Sequence, residues 1–189
     1  MAPPPRRNLD FFCAVLIVGL LAGVAGLAAT ALLRFVEHFT YHYSLGTLLT
    51  GITGSSRVRR VLGPMAGAAL AGFGWWILRR HTKVPPLAPT IARHDRIPRL
   101  GWSVDAALQV LLVGSGASLG REGAPRQFAA ALGDFGIAWL KRLSSRDREI
   151  LLACAAGAGL GAVYAVPLAG ALFSVRIMLN TWHPRAVGA

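Results

Sequence analysis

The chain has 189 residues, of which 54% are hydrophobic, 22 are glycine and only 15% are charged, and its formal net charge is +12. Globular domains average roughly 25% charged residues, so the balance disfavours a water-soluble domain, and the apolar content excludes intrinsic disorder. Two cysteines, Cys13 and Cys154, both within apolar runs, exclude a disulfide scaffold, and no three-residue glycine period suggests collagen.

The first apolar run, Phe11 to Leu33, holds 23 residues without a charge. As a helix it spans about 34 Å, enough to cross a hydrocarbon core of about 30 Å. Arg6 and Arg7 ahead of Cys13–Leu27 also have the pattern of a secretory leader. The run exceeds the roughly 7–15 apolar residues of a leader, and more apolar segments follow, so a membrane span is the preferred reading. Glu37, His38 and His42 stand close together, with the histidines at i, i+4 spacing. A solvated helix face is the commoner meaning of that pattern, and no metal is expected.

Val61 to Leu78 is the second uncharged stretch, with Gly63 and Gly67 in G-x-x-x-G spacing and Gly72 and Gly74 beyond. Leu100 to Leu119 contains one charge, Asp105, and Ala124 to Leu140 contains Arg126 and Asp134. Ile150 to Val175 is uncharged for 26 residues but carries Gly157, Gly159, Gly161 and Pro167. It reads as two helices broken near Ala165-Val166-Pro167, because proline cannot donate its backbone N–H and disfavours helix just before it. Only the first run is a clean span. The others are short, broken or charge-bearing, which predicts helices that stop partway and pack on one another through small residues. Trp75, Trp76, Trp102, Trp139 and Trp182 fall at or near run ends, as in an interfacial aromatic belt.

The basic residues cluster between runs. Arg6 and Arg7, then Arg79, Arg80 and Lys83, then Lys141, Arg142, Arg146 and Arg148 satisfy the positive-inside rule if all three clusters face the cytoplasm. Arg57, Arg59 and Arg60 dissent. Charge of this kind sets topology. No RNA-recognition signature, zinc-finger spacing or basic zipper accompanies it, so nucleic acid is not an expected partner.

One glycine cluster stands apart. Gly114-Ser115-Gly116-Ala117-Ser118-Leu119-Gly120-Arg121-Glu122-Gly123-Ala124-Pro125 ends one apolar run and opens the next. Pro125 fits the first turn of a helix, and the free N–H groups at such a helix start form an anion site. Glu122 lies there as a carboxylate able to stand in for a bound anion, and an ionisable group at membrane depth is a functional candidate. An Arg121–Glu122 structural pair is the plain alternative. A dinucleotide fingerprint is a poor rival, since the third glycine comes one residue late and no β-rich strand precedes it. No catalytic constellation is present, so an enzyme is not expected.

These residues resemble the CLC chloride channel and transporter family, whose signature is G-[K/R]-E-G-P followed by Q or H. Here it reads Gly120-Arg121-Glu122-Gly123, with Gln127 four residues later. Ala155-Ala156-Gly157-Ala158-Gly159-Leu160-Gly161 through Pro167-Leu168-Ala169-Gly170-Ala171-Leu172-Phe173 is similar to a second family block. The resemblance implies an all-α integral membrane fold of tilted and broken helices, representing the first of two inverted-topology halves. It implies a cytoplasmic N-terminus over 1–10, a transmembrane region over 11–178 and a tail over 179–189. It implies chloride or a similar small anion as cargo, no cofactor, a homodimer if complete, and a multi-pass place in a bacterial inner membrane. Glu122 matches the gating glutamate, Gly120, Arg121 and Gly123 the anion-binding motif around it, and Thr82 the serine of the family's first anion loop.

Departures accompany the match. Both glycines of that first loop are replaced around Thr82-Lys83-Val84-Pro85, and the motif's proline is displaced from Ala124 to Pro125. Arg176 and Ile177 stand where exchangers carry a proton-delivering glutamate, which implies channel-like conduction. The family's second half, with its own anion loop and anion-coordinating tyrosine, has no counterpart here. A fragment, a truncated gene, or a half pairing with another chain are the readings of that length. The rival function is a transport-inactive membrane scaffold or remnant.

Overall fold

The computed structural model describes residues 5–42, 48–140 and 143–189, with side chains for 9–42, 49–140 and 143–189. Among them helix is the only regular secondary structure, with no strand. Helices α1 (Pro5–Tyr41), α2 (Leu48–Gly54) and α3 (Arg57–His81) come first. Then come α4 (Leu87–Ala92), α5 (Arg99–Gly114), α6 (Gly123–Ile137) and α7 (Ser145–Tyr164). The short α8 (Pro167–Leu172) runs on as a wider π-helical turn over Phe173–Met178, and α9 (Pro184–Val187) ends the chain.

Among the described residues two helices are long and apolar enough to cross a membrane, Leu9–Tyr41 and Arg57–His81, with mean hydropathy 2.6 and 1.5. Both outrun the uncharged stretches that mark them. Arg34 and Glu37 do not stop α1, because charged residues tolerate helix well where they reach an interface or a partner. Arg57, Arg59 and Arg60 form the first turn of α3 instead of a loop. Ser56 caps that turn, its hydroxyl accepting from the Arg59 N–H at 3.4 Å. At 16 and 15 residues, α5 and α6 reach only about 24 Å, so they stop partway as expected. Lys141 and Arg142, two of the basic residues in the topology reading, lie outside the described residues.

The core is built by α1, α6 and α7. Ala14, Ala22 and Ala25 of α1, Ala129 to Ala131 of α6, and Ala153, Ala155 and Ala156 of α7 are all buried. Such side chains let helix backbones approach closely, which is how helices gain contact where lipid supplies no hydrophobic drive. A Cβ on Gly26 would lie 2.7 Å from the Ala162 methyl carbon, and one on Gly159 would lie 2.6 Å from the Pro125 carbonyl.

The break between α7 and α8 falls where the sequence places it. Ala165 takes a left-handed conformation at φ 55, and Pro167 opens α8. Across it, a Cβ on Gly157 would lie 1.9 Å from Ser174 Oγ and 2.3 Å from the Gly170 carbonyl oxygen. Backbone therefore packs on backbone. Residues 179–189 also dock on the core: Ala186 is buried, and Arg185 pairs with Asp147 at 3.0 Å and lies over the Phe11 ring.

The start of α7 is closed by a capping box between Ser144 and Asp147. Ser144 accepts from the Asp147 N–H at 3.1 Å, and Asp147 accepts from the Ser144 N–H at 3.2 Å. Ser144→Ala is expected to cost about 1 kcal/mol. Thermal melts of the detergent-purified chain check this, and an unshifted midpoint contradicts it.

Candidate functional site

The segment from Ser115 to Glu122 links α5 to α6 and is anchored at its upstream end. Tyr41 Oη, at the end of α1, donates to the Ser115 carbonyl at 2.7 Å. Gly116 follows at φ +107, where a side chain is strained, and a Cβ there would meet Tyr41 Oη at 2.2 Å. Gly67 of α3 closes the other side, since a Cβ there would fall 1.9 Å from Ser115 Oγ. Three helices thus hold the root of the glycine cluster.

Downstream, α6 begins at Gly123 with Glu122 in the cap position, and Pro125 sits in the first turn as the sequence suggests. Glu122 has helical backbone angles and its carboxylate does not cap the helix. The carboxylate instead turns back over Gly120, where a Cβ would lie 2.1 Å from Glu122 Oε2. Gly123 is glycine for a parallel reason, because a Cβ there would lie 2.4 Å from Gln109 Oε1. Both glycines of the G-R-E-G run are therefore places of close approach.

Among the described residues, no acceptor engages the backbone N–H groups of Gly120 to Ala124. Unsatisfied N–H groups at the start of a 15-residue helix carry the positive end of its dipole, and they favour an anion. Arg121 is exposed beside them, and Arg126 Nε donates to the Glu122 carbonyl at 2.6 Å. The Arg126 guanidinium also lies 5.2 Å over the Phe173 ring. Chemically, the arrangement is a cluster of donors and cations with one exposed carboxylate at its edge.

Gly120, Arg121, Glu122 and Gly123 come together in this way. Thr82 does not join them. It caps the end of α3, its methyl group packs at Gly101 in the first turn of α5, and its N–H donates to the Leu78 carbonyl. It borders a separate polar cavity of about 510 Å³ with Arg96, Arg99, Asp134 and Arg148. Ile177 is exposed, and Arg176 bonds Asn180 at 2.8 Å. His38 and His42 stack ring on ring with centroids 6.2 Å apart, and among the described residues no group of three or more metal-binding side chains occurs.

Two neighbours of the G-R-E-G run are invisible to motif spacing. Tyr164 Oη donates toward Glu122 Oε1 at 3.5 Å from 42 residues away. Gln109 reaches Gly123 from α5. The only sequence signals were a lone phenol just before the break in the last uncharged run and a lone amide inside a run.

Comparison with known proteins gives a consistent result. The chain matches the family described as voltage gated chloride channel over residues 67–189. It is 30% identical over 181 residues to the Voltage-gated ClC-type chloride channel ClcB of Escherichia coli O81 (strain ED1a). The same identity is found with the channel of that name from E. coli O6:H1 (strain CFT073), and 29% with that of Shigella boydii serotype 18. Each alignment covers 91% of this chain and 42% of the relative, so the chain spans about two fifths of the length of these curated relatives.

Proposed function

This chain belongs to the voltage gated chloride channel family, and from that membership we propose that it moves chloride, or a small anion like it, past Glu122. The observation that carries the reading is the set of backbone N–H groups from Gly120 to Ala124 that no backbone acceptor engages among the described residues, with the exposed Glu122 carboxylate beside them at Gly120. An anion entering that cluster displaces the carboxylate, whose backbone stays fixed while its side chain swings away. Gly120, Arg121 and Gly123 form the anion's surroundings, and Thr82 lines a cavity at the other end of α5. With Arg176 and Ile177 in place of carboxylates, nothing there relays a proton, so conduction is channel-like. The setting is a multi-pass protein of a bacterial inner membrane, acting as a homodimer.

The full chain in liposomes tests the reading. Chloride efflux is expected from the wild type, and Glu122→Gln or Glu122→Ala is expected to change its rate by about tenfold, the weight of one charged group competing at the site. An imposed chloride gradient is expected to drive no proton uptake. Efflux indifferent to both variants overturns the role of Glu122. No efflux at all favours the scaffold reading, and chloride-driven proton pumping overturns channel-like conduction.

A further inference from the structure

Asp105 is the sole charge in its apolar run, and its partners are unusual for a carboxylate at membrane depth. Trp75 Nε1 of α3 donates to Asp105 Oδ1 at 2.7 Å. Gln109 Nε2, one turn on, donates to Asp105 Oδ2 at 2.7 Å. The same Gln109 nitrogen donates to Gln127 Oε1 of α6 at 2.8 Å. Neither partner of the Asp105 carboxylate is a cation.

An ionised carboxylate only accepts hydrogen bonds. Its presence therefore dictates which way each amide faces. Gln109 must turn its NH₂ to Asp105, and its second N–H goes to the Gln127 oxygen. That leaves the Gln109 oxygen against Gly123, where a Cβ would lie 2.4 Å away. Gln127, with its oxygen engaged, is left with its NH₂ free to donate, and among the described residues no acceptor takes it. Gln127 lies at i, i+4 from Gly123, on the same side of α6.

We propose that Asp105 is a positioning residue that orients Gln109 and, through it, turns the Gln127 amide donors toward the anion at the start of α6. This rests on the anion function inferred above. Gln127 then contributes N–H donors to the anion's surroundings, and Gln109 holds Gly123 in register with them. The acceptor oxygens of Asp105 act through two amides arranged in series, so what reaches the anion is a donor.

The variants separate orientation from charge. In Asp105→Asn one of the two partners, both donors, must face an NH₂ group. Trp75 can only donate, so it keeps the Asn oxygen, and Gln109, which can turn over to accept from the Asn NH₂, does so and carries Gln127 with it. Trp75→Phe removes the competing N–H, so in the double variant Trp75→Phe/Asp105→Asn the Asn oxygen can serve Gln109 alone. The amide order returns although the charge does not.

The readout is the melting temperature of the detergent-purified full chain as sodium chloride replaces sodium gluconate at fixed ionic strength. Binding to the folded state adds RT ln(1 + [Cl⁻]/Kd) of stability, so the rise with chloride concentration gives Kd. Asp105→Asn and Gln127→Leu are each expected to raise that Kd by about fivefold to tenfold, the equivalent of one lost hydrogen bond. The double variant is expected to return it to within about twofold of wild type. A double variant as weak as Asp105→Asn overturns the proposal in favour of a charge effect. A wild-type response left intact by Asp105→Asn overturns this inference alone, and a wild type with no chloride response overturns the anion function with it.

Discussion

Replacing Asp134 with alanine is expected to lower the melting temperature of the chain by about 6–12 °C, the equivalent of about 3 kcal/mol in a protein of this size. Asp134 is only 2% exposed and sits on α6 between two other helices. Arg99 at the start of α5 donates to Oδ2 at 2.6 Å and to the Asp134 carbonyl at 3.2 Å. Arg148 of α7 bonds Oδ1. One carboxylate thus joins three helices through charge-assisted bonds, each worth about 1.5–3 kcal/mol. The arginines are 41% and 43% exposed, so they rehydrate when the carboxylate goes, which keeps the cost near the lower end for a broken buried pair. Asp134→Asn is expected to do no better, because its NH₂ group would face a guanidinium. A shift below about 2 °C for either variant contradicts this account.

Gly157→Val is expected to have an effect of similar size by a different route. Even the first carbon added at Gly157 meets Ser174 Oγ at 1.9 Å and the Gly170 carbonyl oxygen at 2.3 Å. A side-chain hydroxyl can rotate away, but a backbone carbonyl moves only if the helix moves. Overpacking costs about 1–3 kcal/mol where neighbours yield, and here α8 and its π-helical continuation must lift off α7. The loss is measured as a drop in melting temperature together with faster tryptic cleavage at Arg176. Gly19 is the internal comparison, since nothing lies within 4 Å of a Cβ placed there. Gly19→Ala is expected to stabilise α1 by about 0.5–1 kcal/mol through helix propensity. Equal behaviour of the two sites contradicts the close packing of α7 on α8.

Much of the fold is legible because membrane helices write themselves in local composition. The break at Ala165-Val166-Pro167 and the short reach of α5 and α6 follow from proline chemistry and run length. Helix ends are less legible when judged by charge. Arg57, Arg59 and Arg60 interrupt hydropathy but not backbone hydrogen bonding, and the Ser56 cap was the better signal for the start of α3. At the candidate site, Gly120, Arg121, Glu122 and Gly123 were found together because they are consecutive. The remaining contacts join residues far apart in sequence. Trp75 meets Asp105 across 30 residues, Arg99 meets Asp134 across 35, and Tyr164 reaches Glu122 across 42. No periodicity encodes such pairs, since they depend on which helices become neighbours. Asp105 and Asp134 were visible only as charges inside apolar runs, which marks them as needing partners without saying which.

The alanine-lined meeting of α1, α6 and α7 bears on how the protein is made. Alanine has no side-chain rotamers to freeze, so bringing these three helices together loses little conformational entropy beyond that of the backbone. All the alanines concerned lie between Ala14 and Ala156, and their mutual contacts need no residue beyond that range. A ribosome that has delivered α7 to the membrane has therefore already supplied every alanine of this meeting, with Leu179 and Ala186 of the same core still to follow. Its helices can assemble in the bilayer while later residues are still being synthesised.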